Sequence, residues 1–279
     1  MRLTDFVGNI TETMQTLRTL LFAVVVTLTG CSEYHEYSPN QVSDHNSPQD
    51  LNKKNLLKLN ETPKDDTVTL AFLGDSQNFY DEVDPFIDKV NQIPAIDLVI
   101  IAGDISDYGL LQEFEWIYER LTGLNKPFIV VICKHDLVAS GESVYRKMFG
   151  ALDFSFVYDS IKFIVHNTNS REYLNGNVPD MEWLGKELKP VTGVQHYVGV
   201  SHVPPFSGDF DPAKETAYSD LLAKTPGFLV SLHGHIHRHT DAYPYDDGVR
   251  YITGPSFAQR NFVLLKISSG TIYKTLIYY

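Results

Sequence analysis

The chain has 279 residues, 43% of them hydrophobic, and a formal net charge of −12 at pH 7. That length buries one substantial core, and an acidic balance with no basic stripe excludes a nucleic-acid backbone as partner. Its two cysteines, Cys31 and Cys133, exclude a disulfide framework and a zinc–thiolate site, so a metal here must be held by oxygen and imidazole.

Near the N-terminus Arg18 precedes the apolar run Leu20–Leu28, which is too short to cross a bilayer as a helix and fits the h-region of a secretory signal. Met14 serves as a start as well as Met1, because the stretch from Met14 to Arg18 makes an n-region by itself. The small residues of Thr29-Gly30-Cys31 resemble the lipobox of bacterial lipoproteins, in which the cysteine is acylated and becomes the new N-terminus. The alternative, a buried N-terminal helix with an incidental cysteine, leaves that helix nothing to pack against in the polar segment beyond. The expectation is a signal peptide over 1–30 and lipidation at Cys31. The chain then lies in the bacterial cell envelope, outside the cytoplasm, held to a membrane by its lipid anchor rather than spanning it. Residues 31–66 are polar and lack a period of 2 or 3.6, which predicts a flexible tether with His35 and His45 in solvent.

A folded domain is expected over 67–279. Val68–Leu73 reads as a buried strand that stops at Gly74-Asp75, and Leu98–Ala102 as a second that hands over to Gly103-Asp104. A third, Pro127–Ile132, ends at Cys133. Between them, Val83, Phe86, Ile87 and Val90 mark one helix, and Phe114, Ile117, Tyr118 and Leu121 another. Alternation of strand and helix predicts a parallel sheet with right-handed crossovers. The second half opens with an antiparallel hairpin, 154–158 and 162–166, turning at Asp159-Ser160. A helix from Pro179 to Leu188 follows, then a strand over 195–200 ending at Ser201-His202. Another helix covers 215–223 and another strand 227–232, ending at His233-Gly234-His235. Strand-like runs fill the tail from Val249 to Tyr279. The fold class is α/β.

Five strand ends thus carry ligand-type side chains: Asp75 and Gln77, Asp104 and Asp107, Lys134-His135-Asp136, His202, and His235 with His237. Ligands of open α/β sheets gather at the carboxyl ends of strands, so these five predict one pocket. From Thr67 onward the series resembles the calcineurin-like metallophosphoesterases, whose motifs run D-x-H, G-D-x-x-D, G-N-H-[DE], H and G-H-x-H. This chain offers D-S-Q at 75–77, G-D-I-S-D at 103–107, C-K-H-D at 133–136, S-H-V-P-P at 201–205 and G-H-I-H at 234–237.

The resemblance implies a two-sheet αββα sandwich of the metallophosphoesterase type and one or two divalent metal ions per chain, Mn, Fe or Zn. It makes Asp104 a bridging ligand, with Asp75, Gln77 and His237 completing site one and His202 and His235 in site two. His135 takes the place of the leaving-group acid, oriented by Asp107. The chemistry needs such groups. Paired cations about 3.5–4 Å apart neutralise phosphoryl oxygens and activate water, and hard ions want carboxylate and imidazole ligands. Gln77 carries no charge, so it holds a cation less tightly than histidine would. His166, His196, His233 and His239 have no motif position and read as ordinary structural histidines. Asn78-Phe79-Tyr80, Pro204-Pro205-Phe206, Asp209, Asp211 and Arg171 are rim positions for which loop packing is an equal reading.

The third motif departs from the pattern, with Cys133-Lys134 where the family has Gly-Asn. At an effective dielectric near 20, two unit charges 4 Å apart interact by about 4 kcal/mol, and a divalent ion doubles that to ~8 kcal/mol. Deprotonating a lysine at pH 7 costs only ~4–5 kcal/mol. A charged Lys134 pointing at a filled second site is therefore untenable. Lys134 either swings out, ligates as a neutral amine, or stands in for the second metal as a fixed positive charge that binds substrate phosphate. On this reading metal stoichiometry is subnormal and Lys134→Asn raises it. Cys133 in place of glycine is expected to strain the loop that carries His135.

Two functions follow. One is an exported, membrane-tethered, metal-dependent hydrolase of a phosphate mono- or diester. The other is a binding lipoprotein that keeps the sandwich and has lost turnover.

Overall fold

The computed structural model describes residues 14, 15, 18, 38–173 and 175–279. Nearly all of the expected signal segment, and Cys31 with it, lies outside them. No helix among the described residues is long and apolar enough to cross a membrane. The chain divides into two units, 1–38 and 39–279, and the second carries the fold.

In the first sheet β1 (Thr67–Leu73), β2 (Leu98–Ile101) and β3 (Phe128–Val130) run parallel. Strands β10 (Asn261–Ser268) and β11 (Thr271–Tyr278) add antiparallel on the far side, giving the order β11-β10-β1-β2-β3. The second sheet orders β4 (Phe154–Tyr158), β5 (Ile161–Val165), β6 (His196–Val200), β7 (Phe228–His233), β9 (Arg250–Thr253) and β8 (Thr240–Ala242), with β5, β6, β7 and β9 parallel.

Strand periodicity splits each apolar run between two cores. Val68, Leu70 and Phe72 face the second sheet, where they meet Phe163, Val165, Val198 and Val230. Ala71 and Leu73 face outward onto α2 (Val83–Asn91), α3 (Leu111–Leu121) and α4 (Gly141–Met148). On the other side, Ile164, Tyr197 and Tyr251 of the second sheet pack on α5 (Met181–Glu187) and α6 (Pro212–Ala223). The layers are therefore helix, sheet, sheet, helix, as the family resemblance implies.

The tether is corrected. Leu51–Asn60 forms helix α1, which buries Leu51 and Leu59, each worth about 1.5–3 kcal/mol. The helix covers the edge of the first sheet with amides rather than apolar groups. Asn52 Nδ2 donates to Val130 O and its Oδ1 accepts from Val130 N, both at 2.9 Å. Asn55 Oδ1 accepts from Phe128 N at 3.1 Å. Residues before the helix also dock, with Val42 packed on the outer core and Lys147 Nζ 3.0 Å from Ser43 Oγ. Helix α6 begins at Pro212, three residues before the expected start, because Asp211 caps it by accepting from Ala213 N at 3.0 Å. Asp211 is thereby a cap and not a rim residue.

Candidate metal centre

The carboxyl ends of β1, β2 and β3 in one sheet and of β6 and β7 in the other open on the same side. After β1, β2 and β7 the chain turns abruptly. Gly103 has φ +90°, and Asp75, Asp104, His235 and His237 have φ of 57°, 52°, 71° and 58°. Left-handed backbone at non-glycine residues is uncommon and concentrates at functional sites. Here it swings each side chain inward, off the strand axis. Backbone bonds fix neighbouring turns to one another: Asp75 N donates to Gly103 O at 2.9 Å and Gln77 N to Asp104 O at 3.0 Å.

The structure brings Asp75, Asp104, His202 and His237 together, while the His235 imidazole turns to Ser207 Oγ at 3.1 Å and Asp209 Oδ2 at 3.3 Å. Donor atoms of Asp75, Asp104 and His237 lie within 4.8 Å of one another, as do those of Asp104, Cys133 and His202. His202 Nε2 is 3.3 Å from Asp104 Oδ2 and 3.8 Å from Asp75 Oδ1, and His237 Nε2 is 3.4 Å from Asp75 Oδ1. His235 N donates to Asp75 Oδ1 at 3.3 Å. His202 is fully buried, and its Nδ1 donates to the Ala102 carbonyl, tying the second sheet to the first. That bond fixes the tautomer and leaves Nε2 free for a ligand. Buried Asp75 Oδ2, Gln77 Oε1, Asp104 Oδ2 and His202 Nε2 have no hydrogen-bond partner. Orphaned acceptors in a dry pocket are costly, and a divalent cation is what carboxylate, amide and imidazole donors jointly satisfy. The residues fit the group.

Electrostatics point the same way. Burial pushes the Asp75 carboxyl up to about 7, and burial, then Asp104, pushes Asp136 up to about 7. Burial acts on Asp104 in the same sense, but His202 outweighs it and holds that carboxyl well below the usual range. His202 itself is drawn down by burial and raised more strongly by Asp104, to about 9. Without a cation the imidazolium of His202 is thus the charge that offsets the carboxylates. Burial, then His202 and Lys134, lowers His235 to about 4, and burial also lowers His237. Both are neutral at pH 7, the form that ligates metal.

Other positions differ from expectation. Asp107 does not orient His135 through its carboxylate. Its backbone carbonyl accepts from His135 Nδ1 at 3.1 Å, while its carboxylate accepts from Asn78 N at 2.7 Å and Tyr80 OH at 3.1 Å. Cys133 introduces no left-handed strain, since it is absent from the residues with positive φ. Its side chain fills the space beside Gly103, and burial pushes its thiol well up. Lys134 pairs with Asp209, Nζ to Oδ2 at 3.4 Å, and so stays close enough to His235 to help lower it. Asp209 also receives Arg171 at 3.7 Å and His235 Nε2 at 3.3 Å.

Sequence reasoning names Asp136 among the strand-end side chains without giving it a role, and it is the hub of the pocket floor. Its Oδ1 accepts from Ile105 N, Ser106 N and Ser106 Oγ, and its Oδ2 from Cys133 N, locking the second motif to the third. The last letter of C-K-H-D was the available signal. His166, buried against Tyr218 OH at 2.9 Å, and His239, on the Thr253 carbonyl at 3.0 Å, serve packing.

A two-sheet sandwich with carboxylates and imidazoles converging at its strand ends is the architecture of a metal-dependent phosphoesterase. Residues 68–239 match the calcineurin-like phosphoesterase family, and the chain belongs to it. A 3',5'-cyclic-nucleotide phosphodiesterase of Nostoc sp. is 24% identical over 171 residues, 58% of this chain and 63% of its own. Among solved structures, GAP50, the anchor in the inner membrane complex of Plasmodium, shares the fold with a TM-score of 0.60 at 13% identity, over 76% of this chain and 84% of its own. A dimetal phosphatase from Danio rerio does so with a TM-score of 0.55 at 12% identity, over 76% and 99%. The chain spans less than two thirds of the length of the curated relatives it matches.

Proposed function

We propose that this chain is an exported, lipid-anchored phosphoesterase that hydrolyses a phosphate mono- or diester with divalent cations. One observation carries the reading: buried oxygen and nitrogen atoms of Asp75, Asp104 and His202 that lack hydrogen-bond partners stand close together beside His237. Asp75, Gln77, Asp104 and His237 would hold one cation, and Asp104, His202 and His235 a second. Cations held there supply the Lewis acidity that activates water and neutralises phosphoryl charge. His135, whose Nδ1–H donates to the Asp107 carbonyl, would act as the imidazolium, giving the proton on its other ring nitrogen to the leaving oxygen. Asp136 keeps the loop that carries His135 in register with Asp104, whose Oδ1 accepts from His135 N at 3.2 Å. The anchor rests on the Thr29-Gly30-Cys31 pattern, and Cys31→Ser is expected to shift the chain from the membrane to the soluble fraction of fractionated cells.

The substrate class is tested first on diesters, because curated relatives are named for cyclic nucleotides. Purified chain assayed with bis-p-nitrophenyl phosphate, p-nitrophenyl phosphate and cyclic AMP should turn over with Mn²⁺ and stop with chelator. His135→Ala should lower the rate roughly 10²–10⁴-fold at unchanged metal content. Hydrolysis insensitive to chelator would refute the assignment. The second reading, a binding lipoprotein whose metal site is compromised by Lys134 in the third motif, predicts less bound metal and no turnover on any of the three esters.

A further inference from the structure

The third motif lacks the family's asparagine but carries a sulfur one residue earlier. Cys133 is fully buried just beyond β3 and forms no disulfide. Its backbone is pinned, with N donating to Asp136 Oδ2 at 3.1 Å. Gly103 stands beside it and has no Cβ. One there would lie 2.7 Å from Cys133 Cβ and 2.8 Å from His202 Nδ1, so the bare backbone lets the sulfur and the imidazole close in on the same point. Cys133 Sγ, a carboxylate oxygen of Asp104 and a ring nitrogen of His202 lie within 4.8 Å of one another. Two members of that group call for a ligand independently of the cysteine. Asp104 Oδ2 and His202 Nε2 are buried, lack hydrogen-bond partners and stand 3.3 Å apart. The His235 imidazole faces Ser207 Oγ and Asp209 Oδ2 instead, and it does not complete the group.

We propose that Cys133 is a thiolate ligand of the second cation, beside Asp104 and His202, so that this site holds its ion through sulfur as well as oxygen and imidazole. The proposal rests on the metal-dependent reading above. Oxygen and nitrogen donors on one tetrahedral ion stand roughly 3.3–3.5 Å apart, and Asp104 Oδ2 to His202 Nε2, at 3.3 Å, falls there. On binding, the S–H bond breaks, a sulfur–metal bond forms and the proton leaves to solvent. The charge of the motif then closes, since the added ammonium of residue 134 is matched by the added thiolate of residue 133. The ammonium is held on Asp209, Nζ to Oδ2 at 3.4 Å. A single thiolate among oxygen and nitrogen donors needs no second cysteine, so a count of two does not exclude it. Sulfur also makes the site select Zn²⁺ over Mn²⁺ more steeply than an oxygen donor would.

The test is spectroscopic and independent of turnover. The full chain and its variants are titrated with Co²⁺, bound metal is counted, and absorption is followed in the near ultraviolet, where thiolate-to-cobalt charge transfer appears. Circular dichroism confirms folding. The wild type should develop the charge-transfer band as Co²⁺ binds, and Cys31→Ser should keep it. Cys133→Ser and Cys133→Ala should lose it. Competition titrations should show the second Zn²⁺ weakened at least tenfold in Cys133→Ala, with the first unchanged. In Cys133→Ser the preference of the second site for Zn²⁺ over Mn²⁺ should shrink at least tenfold. Bound Co²⁺ with no such band in the wild type overturns the proposal, and that spectrum decides even where a variant fails to fold. A band that survives Cys133→Ala overturns it equally. Ester hydrolysis that needs metal, from a chain whose Co²⁺ form lacks the band, would leave the phosphoesterase reading standing and end this assignment. The band without hydrolysis of any ester would do the reverse, and a chain that binds no Co²⁺ ends both.

Discussion

Gly103 shows how little room the pocket floor has. A Cβ there would lie 2.7 Å from Cys133 Cβ and 2.8 Å from His202 Nδ1, at a φ of +90° that L residues rarely adopt. Overpacking of about 1–3 kcal/mol and left-handed strain of about 1–2 kcal/mol act together. Gly103→Ala is therefore expected to destabilise the chain by about 2–5 kcal/mol in a urea titration. It should also push His202 off the Ala102 carbonyl, lowering metal content. Stability and metal content both at wild-type levels would show that the turn relaxes. The same residue scale explains what the sequence made legible. Asp75, Asp104, His135, His202, His235 and His237 follow buried strands directly, so strand ends located them. Asp209, which the sequence places only on the rim, has no such marker. Its place is set by the path of a loop and by Phe210 behind it, neither of which has a period or a spacing.

At the scale of elements, long apolar runs gave β1, β2, β3 and the parallel order, because a strand buried on both faces has few other readings. Helix α1 escaped for the opposite reason. Its inward residues include Asn52 and Asn55, which look solvated until an unpaired strand lies beside them. Their amides act as an extra strand would, pairing the exposed groups of Phe128 and Val130 and so blunting an edge open to association. Tyr145 OH also reaches Val130 O, at 2.6 Å. Asn52→Ala consequently strips the partner from Val130 N while leaving its carbonyl bonded. The expected cost is about 1–3 kcal/mol in denaturation midpoint, with faster aggregation seen by light scattering. An unchanged midpoint would mean that the helix is held by Leu51 and Leu59 alone.

For the whole molecule, the metal centre sets how stability varies with pH. Folding without a cation raises His202 from 6.5 to about 9, and Asp75 and Asp136 from 3.8 to about 7. The folded chain keeps protons that the unfolded chain releases, so the stability they confer is full below the unfolded values and is lost as pH rises through the folded ones. His166 opposes this, being lowered by burial from 6.5 to about 4, but its contribution is complete above 6.5. The uncompensated window runs from about 6.5 to about 9. The chelated chain should accordingly melt at lower temperature as pH rises across that window. Saturating Mn²⁺ should cancel the trend, with protons released on binding. A melting temperature that climbs across the window without metal would contradict this charge arrangement.

The bond from His202 to the Ala102 carbonyl carries a consequence for inheritance. A lineage that gave up hydrolysis would still need His202 to stitch its two sheets, and Asp104 to seat the loop of His135. Those letters would persist in a retired enzyme. Its retirement would be written first at the half-exposed His237, where selection for shape alone exerts the weakest grip.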